Sequence, residues 1–207
     1  MNMKWSKALP TMALLLGISA TASASNLVIN GGFEDGNLTG WTLVNPGGNG
    51  YLWAVGTSGT EGLSPNSGSY FAYTGCNNTG CLAYGTSTAN DLLQALTTVA
   101  GQSYTLSFYT SNNGGAPTPS ELDVYWGGTQ VVALNPVPGT SPNYTMYTAT
   151  VTATGTSTNL EFLGEQPPSY FALDDVSVTA VPLPASVWLM LSGLVGLGAI
   201  VHRHRPA

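Results

Sequence analysis

Between residues 25 and 180 the apolar positions recur at every second residue, in short runs separated by turn chemistry. SYTLSFYTSN (103–112), ELDVYWGG (121–128), TQVVAL (129–134), YTMYTATVTAT (144–154) and TNLEFLGE (158–165) each predict a strand of about five to ten residues. The alternation also sorts faces. Tyr104, Leu106 and Phe108 fall toward a core, leaving Tyr109 with Thr105 and Ser107 on the polar side. Leu122, Val124 and Trp126 fall inward, with Asp123 and Tyr125 outward. In YFALDDVSV (170–178), strict alternation places Phe171, Leu173, Asp175 and Ser177 on one face. Tyr170, Ala172, Asp174, Val176 and Val178 take the other, so the adjacent carboxylates are expected to point apart and not to serve one small site. DLLQALTTV (91–99) opens like a helix, but its Thr-Thr-Val end and the turn residues behind it predict a strand. NPGGNG, NNGGAPTPS and NPVPGTSPN supply the loops. Many short strands, with no repeat of solenoid or propeller period, predict one all-β domain, an antiparallel β-sandwich.

The two ends follow another pattern. MNMKWSK is a basic n-region, ALPTMALLLGISA an apolar h-region, and Ala22-Ser23-Ala24 a small-residue cleavage site. Residues 1–24 therefore read as a secretory signal peptide. At the other end the apolar run 185–201 would extend about 25 Å as a helix. That is slightly less than a hydrocarbon core, a gap that snorkelling flanks or bilayer thinning closes. Arg203 and Arg205 directly beyond it favour the cytoplasmic side. The expected organisation is a signal peptide (1–24), a sandwich domain (25–180) and a tail (181–207) with a transmembrane helix and a basic cytoplasmic end.

Charge sharpens this picture. The four cations are Lys4, Lys7, Arg203 and Arg205, whereas all ten carboxylates lie between Glu34 and Asp175. The central body thus holds ten negative charges against no Lys or Arg, a formal −10. Both histidines, His202 and His204, are in the tail. An exported body without His excludes Ser-His-Asp and Cys-His catalysis and most zinc hydrolases. Without cations it offers no Schiff-base lysine, no phosphate clamp and no basis for nucleic-acid binding. Carboxylate pairs acting on a glycosidic bond remain chemically open, as Glu34/Asp35, Glu121/Asp123 or Glu161/Glu165. Nothing in the sequence brings any of these pairs to a working separation, and the expectation is a non-enzymatic protein. Cys76 and Cys81, in GCNNTGC, read as a local disulfide in an oxidising compartment.

Two resemblances extend the reading. Val181-Pro182-Leu183-Pro184-Ala185, followed by an apolar helix and a basic end, resembles the VPLPA variant of the PEP-CTERM sorting signal; the more common form has Glu where Leu183 stands. The resemblance implies recognition by an exosortase-type membrane enzyme, removal of the anchor near the motif, and delivery to the cell surface or extracellular matrix, often alongside exopolysaccharide production. In the body, the opening NLVINGGFEDGNLTGWT, the turn-to-strand segment NSGSYFAY and the closing YFALDDVSVTA resemble the frame of galactose-binding-like carbohydrate-binding modules, which are jelly rolls. In such modules a structural calcium ion joins the first and last strands. The match carries that role to the Glu34 carboxylate, the Gly32 carbonyl and Asp175, with Asp174 as the alternative and Asn66 or Ser69 adding oxygens. Calcium suits clustered carboxylates in a body that has no side-chain cation to pair them. Phe33 and Trp41 are expected core anchors.

A sugar-binding role needs aromatic faces and polar groups on an outer surface. Tyr109, Asp123 and Tyr125 are the candidates by alternation, and Trp53 is added as a further aromatic. The expected function is a non-catalytic module for extracellular polysaccharide; the alternative is a structural matrix or adhesion protein with no discrete ligand site.

Overall fold

The computed structural model describes residues 25–44, 53–75, 90–113, 120–165, 169–182 and 190. The chain divides into two compact units, 24–181 and the pair of ends 1–23 with 182–207. The signal peptide, the cysteine pair Cys76 and Cys81, and Leu183, Pro184 and Ala185 of the sorting motif lie outside the described residues. So does the apolar run 185–201, Met190 apart. Among the described residues no helix is long and apolar enough to cross a membrane.

The described body is built from β1 (Thr42–Val44), β2 (Ala54–Thr57), a 3₁₀ turn (Thr60–Gly62), β3 (Tyr70–Gly75), β4 (Asn90–Thr97), β5 (Ser103–Asn112), β6 (Glu121–Trp126), β7 (Thr129–Leu134), β8 (Thr145–Thr152), β9 (Ser157–Glu165) and β10 (Tyr170–Ala180). These strands form two antiparallel five-stranded sheets, β2-β3-β10-β5-β8 and β1-β4-β9-β6-β7. The all-β sandwich expected from the alternating runs is what forms, and DLLQALTTV supplies β4 as a strand.

The core fills the space between the sheets because each strand turns one apolar row inward. Leu92 and Leu96 of β4, Leu106 and Phe108 of β5, Leu122 and Val124 of β6, Leu160 and Phe162 of β9, and Phe171 and Leu173 of β10 are all buried. Phe33 stacks on Trp41 with ring centroids 5.8 Å apart, and Phe162 packs edge-on against both Trp41 and Phe108. Removing such a ring from water contributes about 1.5–3 kcal/mol each. A second, smaller cluster of Leu63, Phe71 and Ala172, flanked by Tyr73, Tyr144 and Tyr170, covers part of the other side of the β3/β10 sheet.

The N-terminal segment fastens the sheets together. Asn26 bridges to Thr179, and its Oδ1 accepts the N–H groups of Val28 and Val178. Three residues on, the buried Gln94 of β4 exchanges two hydrogen bonds with the Ile29 backbone, at 2.8 and 3.0 Å. One short stretch is thereby tied to β10 in one sheet and β4 in the other.

The strict alternation expected for residues 170–178 fails at one place. The β10–β5 register shifts between Asp174 and Ser177, and Asp175 adopts a left-handed φ of 50°. Phe171 and Leu173 point into the core before the shift, and Val176 and Val178 do so after it. The physical reason is a bulge: one extra residue in the strand exchanges its faces.

Candidate functional site

The bulge brings together what alternation would separate. Asp174 Oδ2 accepts the backbone N–H of Asn66 (2.8 Å) and Ser67 (3.3 Å), and its Oδ1 accepts the N–H of Asp175 at 2.7 Å. Asp175 Oδ2 accepts Asn66 Nδ2 at 2.7 Å, and its Oδ1 accepts the Ser67 hydroxyl at 2.8 Å. Both carboxylates therefore hold the same loop, against the expectation that they would point apart.

Glu34 completes the knot from the N-terminal side. Its carboxylate accepts the N–H of Ser69 at 2.9 Å and of Tyr70 at 3.0 Å. The loop can approach this closely because residue 68 is glycine: a Cβ there would lie 2.2 Å from Glu34 Oε1. A Cβ on Gly32 would sit 3.5 Å from Asp175 Oδ1 and 3.9 Å from Asp174 Oδ1, so three acidic residues surround one backbone position. Asp174 is fully buried. Its burial, and next the charge of Asp175, push its carboxyl up to about 7, against the opposing pull of three backbone N–H groups.

Whether these residues suit a hard cation depends on the donor set. Glu34, Asp174 and Asp175 supply anionic oxygens, which calcium prefers. Asn66 and Ser69, by contrast, turn N–H groups to the carboxylates and act here as hydrogen-bond donors, not as oxygen ligands. Among the described residues no group of three or more His, Cys, Asp and Glu side chains is arranged to hold a metal ion. A fit is therefore limited to Glu34, one of the two aspartates and backbone carbonyls such as that of Gly32.

The ligand-face candidates do not gather in one place. Trp53 is 2% exposed and packs edge-on against Phe171, so it is a core residue and not part of a ligand face. Tyr109 lies on β5, opposite Asp174 of β10 and Met146 of β8, in the other sheet from Asp123 and Tyr125. Alternation finds which residues point outward, but it does not say from which sheet.

Asp123 and Tyr125 do share a surface, on the outside of the β4-β9-β6 sheet. Asp91 of β4 and Asp123 of β6 both pair with Leu163 of β9. In the next row, Leu93 and Tyr125 both pair with Glu161. Asp91, Leu93 and Leu163 were missed as site residues, and Glu161 was considered only as a carboxylate partner of Glu165. The alternation of DLLQ and LEFLG marks them as outward-facing, yet only cross-strand register sets them beside Tyr125.

This face is electrostatically tense. Burial, then the neighbouring Glu161, pushes the Asp91 carboxyl up to about 6, and the two carboxyls share a hydrogen bond. Burial, then Asp123, raises Glu121; burial, then Asp123, Glu161 and Glu121, raises the Tyr125 phenol, which hydrogen-bonds Asp123. Asp123 is only 8% exposed, and its Oδ1 has no hydrogen-bond partner; neither has the buried Oδ1 of Asp91. A recess of about 250 Å³ lies between the edge strands β7 and β8, lined by Trp126, Val131, Val151 and several threonines.

No protein-family model matches the sequence, and no curated protein matches it significantly. Solved structures share the fold. A carbohydrate-binding module, TmCBM61, solved in complex with β-1,4-galactotriose, matches 76% of this chain over its full length, at 13% identity and a TM-score of 0.54. The K1 cleaved adhesin domain of Lys-gingipain from Porphyromonas gingivalis matches 73% of this chain and 96% of its own, at 19% identity and a TM-score of 0.54. The enzymatically active domain of tailspike protein 4 of bacteriophage CBA120 gives the same TM-score at 14% identity, but only 21% of that chain is covered. At these identities the likeness defines the class of fold alone: a β-sandwich, shared with this carbohydrate-binding module and this cleaved adhesin domain.

Proposed function

We propose that this protein is an exported, non-catalytic module that binds extracellular polysaccharide on the outer face of its β4-β9-β6 sheet. The observation that carries the reading is the cross-strand row Leu93–Glu161–Tyr125 beside Asp91–Leu163–Asp123. It offers a tyrosine ring and two leucines for the apolar faces of sugars, with carboxylate oxygens for their hydroxyls. The fold shared with a galactotriose-binding module is compatible with it. The test is a glycan array or polysaccharide pull-down with the purified protein. Specific retention that Tyr125→Ala removes, with the melting temperature unchanged, supports the reading; retention indifferent to that substitution overturns it.

A second reading, a structural or adhesion component of the matrix, is favoured by the fold shared with a gingipain adhesin domain. It expects no discrete glycan retention at all.

Export and anchoring belong to the same proposal. The signal peptide 1–24, the VPLPA-type motif and the basic end would deliver the body to the surface through an exosortase-type enzyme. Mass spectrometry of the mature protein should find His202 to Ala207 removed. Recovery of full-length material alone would leave a simple anchor.

For the knot at the bulge we propose a structural calcium ion held by Glu34, Asp175 or Asp174, and the Gly32 carbonyl. An ion that binds only the folded body stabilises it by mass action. Millimolar calcium should raise the melting temperature and excess chelator lower it. A metal-free protein whose melting point ignores both overturns the site, leaving the hydrogen-bond knot as the whole of its role.

A further inference from the structure

We propose that the acidic outer face of the β4-β9-β6 sheet selects glycans carrying free amino groups, such as de-N-acetylated hexosamine polymers. The inference rests on the reading of that face as a sugar-binding surface and names the ligand class it takes.

Two carboxylate oxygens on this face lack a partner. Asp123 is more than nine-tenths buried, and its Oδ1 has no hydrogen-bond partner. Asp91 Oδ1, buried on the far side of Leu163, is in the same condition. A buried carboxylate oxygen without a donor is costly, and in a native structure it calls for an explanation of its own. The chain has nothing to supply: no Lys or Arg occurs anywhere between Ala8 and His202. Neither Tyr125 beside Asp123 nor Glu161 beside Asp91 partners these two oxygens.

One metal ion does not answer both oxygens. They belong to strands on either side of β9, two strand spacings apart, roughly 10 Å. Among the described residues no three acidic side chains are arranged around a metal. A polymer with repeated amines spans that distance. Each ammonium brings three N–H donors and a positive charge, and charge-assisted hydrogen bonds to a carboxylate are stronger than neutral ones. Leu93, Leu163 and Tyr125, all partly exposed, provide apolar contact for the ring faces between.

The same charges work against other glycans. Glu121, Asp123, Glu161 and Asp91 with no cation nearby repel uronates and sulfates. Neutral sugars supply hydroxyl donors but leave the negative charges uncompensated.

The experiment compares binding of the purified protein to glucosamine oligomers and to fully N-acetylated oligomers of equal length, with β-1,4-galactotriose and polygalacturonate alongside. The free-amine oligomer should bind at least about tenfold tighter than its acetylated counterpart, a factor just below the low end of the range measured for close charge pairs. Added salt should weaken it. Asp123→Asn and, independently, Glu161→Gln should each erase most of that preference in protein whose circular dichroism is unchanged. Glu61→Gln, which removes a charge elsewhere, should leave it intact. Equal affinity for both oligomers, lost in Tyr125→Ala, overturns the amine selectivity and leaves the sugar-binding face standing. A preference for polygalacturonate, or an equal loss in Glu61→Gln, also overturns it. Failure to bind any of the glycans overturns the sugar-binding reading as well.

Discussion

Asp175 holds a left-handed φ of 50°, and the residue beside it, Asp174, is fully buried. Non-glycine residues occupy that region at a cost, least for Asn and Asp, whose short side chains bond locally. Here both carboxylates take up the Asn66–Ser67 turn, so the conformation is held by charge-assisted hydrogen bonds. Gly68 is the counterpart in the loop: its φ is 61°, and a side chain would strike the Glu34 carboxylate. Gly68→Ala therefore combines backbone strain with loss of the Ser69 and Tyr70 bonds to Glu34. It should destabilise the body by about 2–4 kcal/mol. Urea unfolding would measure this, and a midpoint unchanged from the parent protein would show that the loop relaxes without losing Glu34.

At the scale of elements, β4, β9 and β6 set Asp91, Glu161 and Asp123 on one surface. The consequence is a pH dependence of definite sign. Asp91 is pushed up to about 6 from an ordinary value of 3.8. A carboxyl whose folded pKa is raised gives its full share of stability below the unfolded value and loses it as pH rises through the folded value. Glu121, raised by burial and Asp123, acts in the same direction. The melting temperature should therefore rise as pH falls from about 7 toward 4. Asp91→Asn should make that rise shallower, because the amide does not titrate. A profile that falls over this window, or an Asn variant with the parent's slope, would contradict the pairing of Asp91 with Glu161.

Across the whole molecule, ten carboxylates share a body that has no Lys or Arg. Such a body repels itself, which weakens its compact state. Screening should relieve the strain: between about 0.01 and 0.15 M salt the Debye length falls from roughly 30 to 8 Å. Thermal scans across that range in sodium chloride, with chelator present, should show a rising melting temperature. A flat or falling response would mean that the carboxylates are already neutralised by protons or by a bound ion.

Much of this could be read from the chain alone. The sandwich, the limits of β5 and β7, and the inward rows of β5 and β6 follow from period-two alternation, because a strand's side chains alternate whatever it packs against. The lack of Lys, Arg and His between residues 25 and 180 argues against whole classes of chemistry in that body, since composition survives folding unchanged. Tertiary structure decided which outward residues meet. Tyr109 and Tyr125 look alike in sequence, yet they lie in different sheets. Asp91 enters the candidate face only through its register with Leu163. Trp53 is core because the fold sets Phe171 against it, a partner that composition does not name. The bulge at Asp175 is invisible to alternation, because one inserted residue reverses the faces only once the neighbouring strand fixes the register.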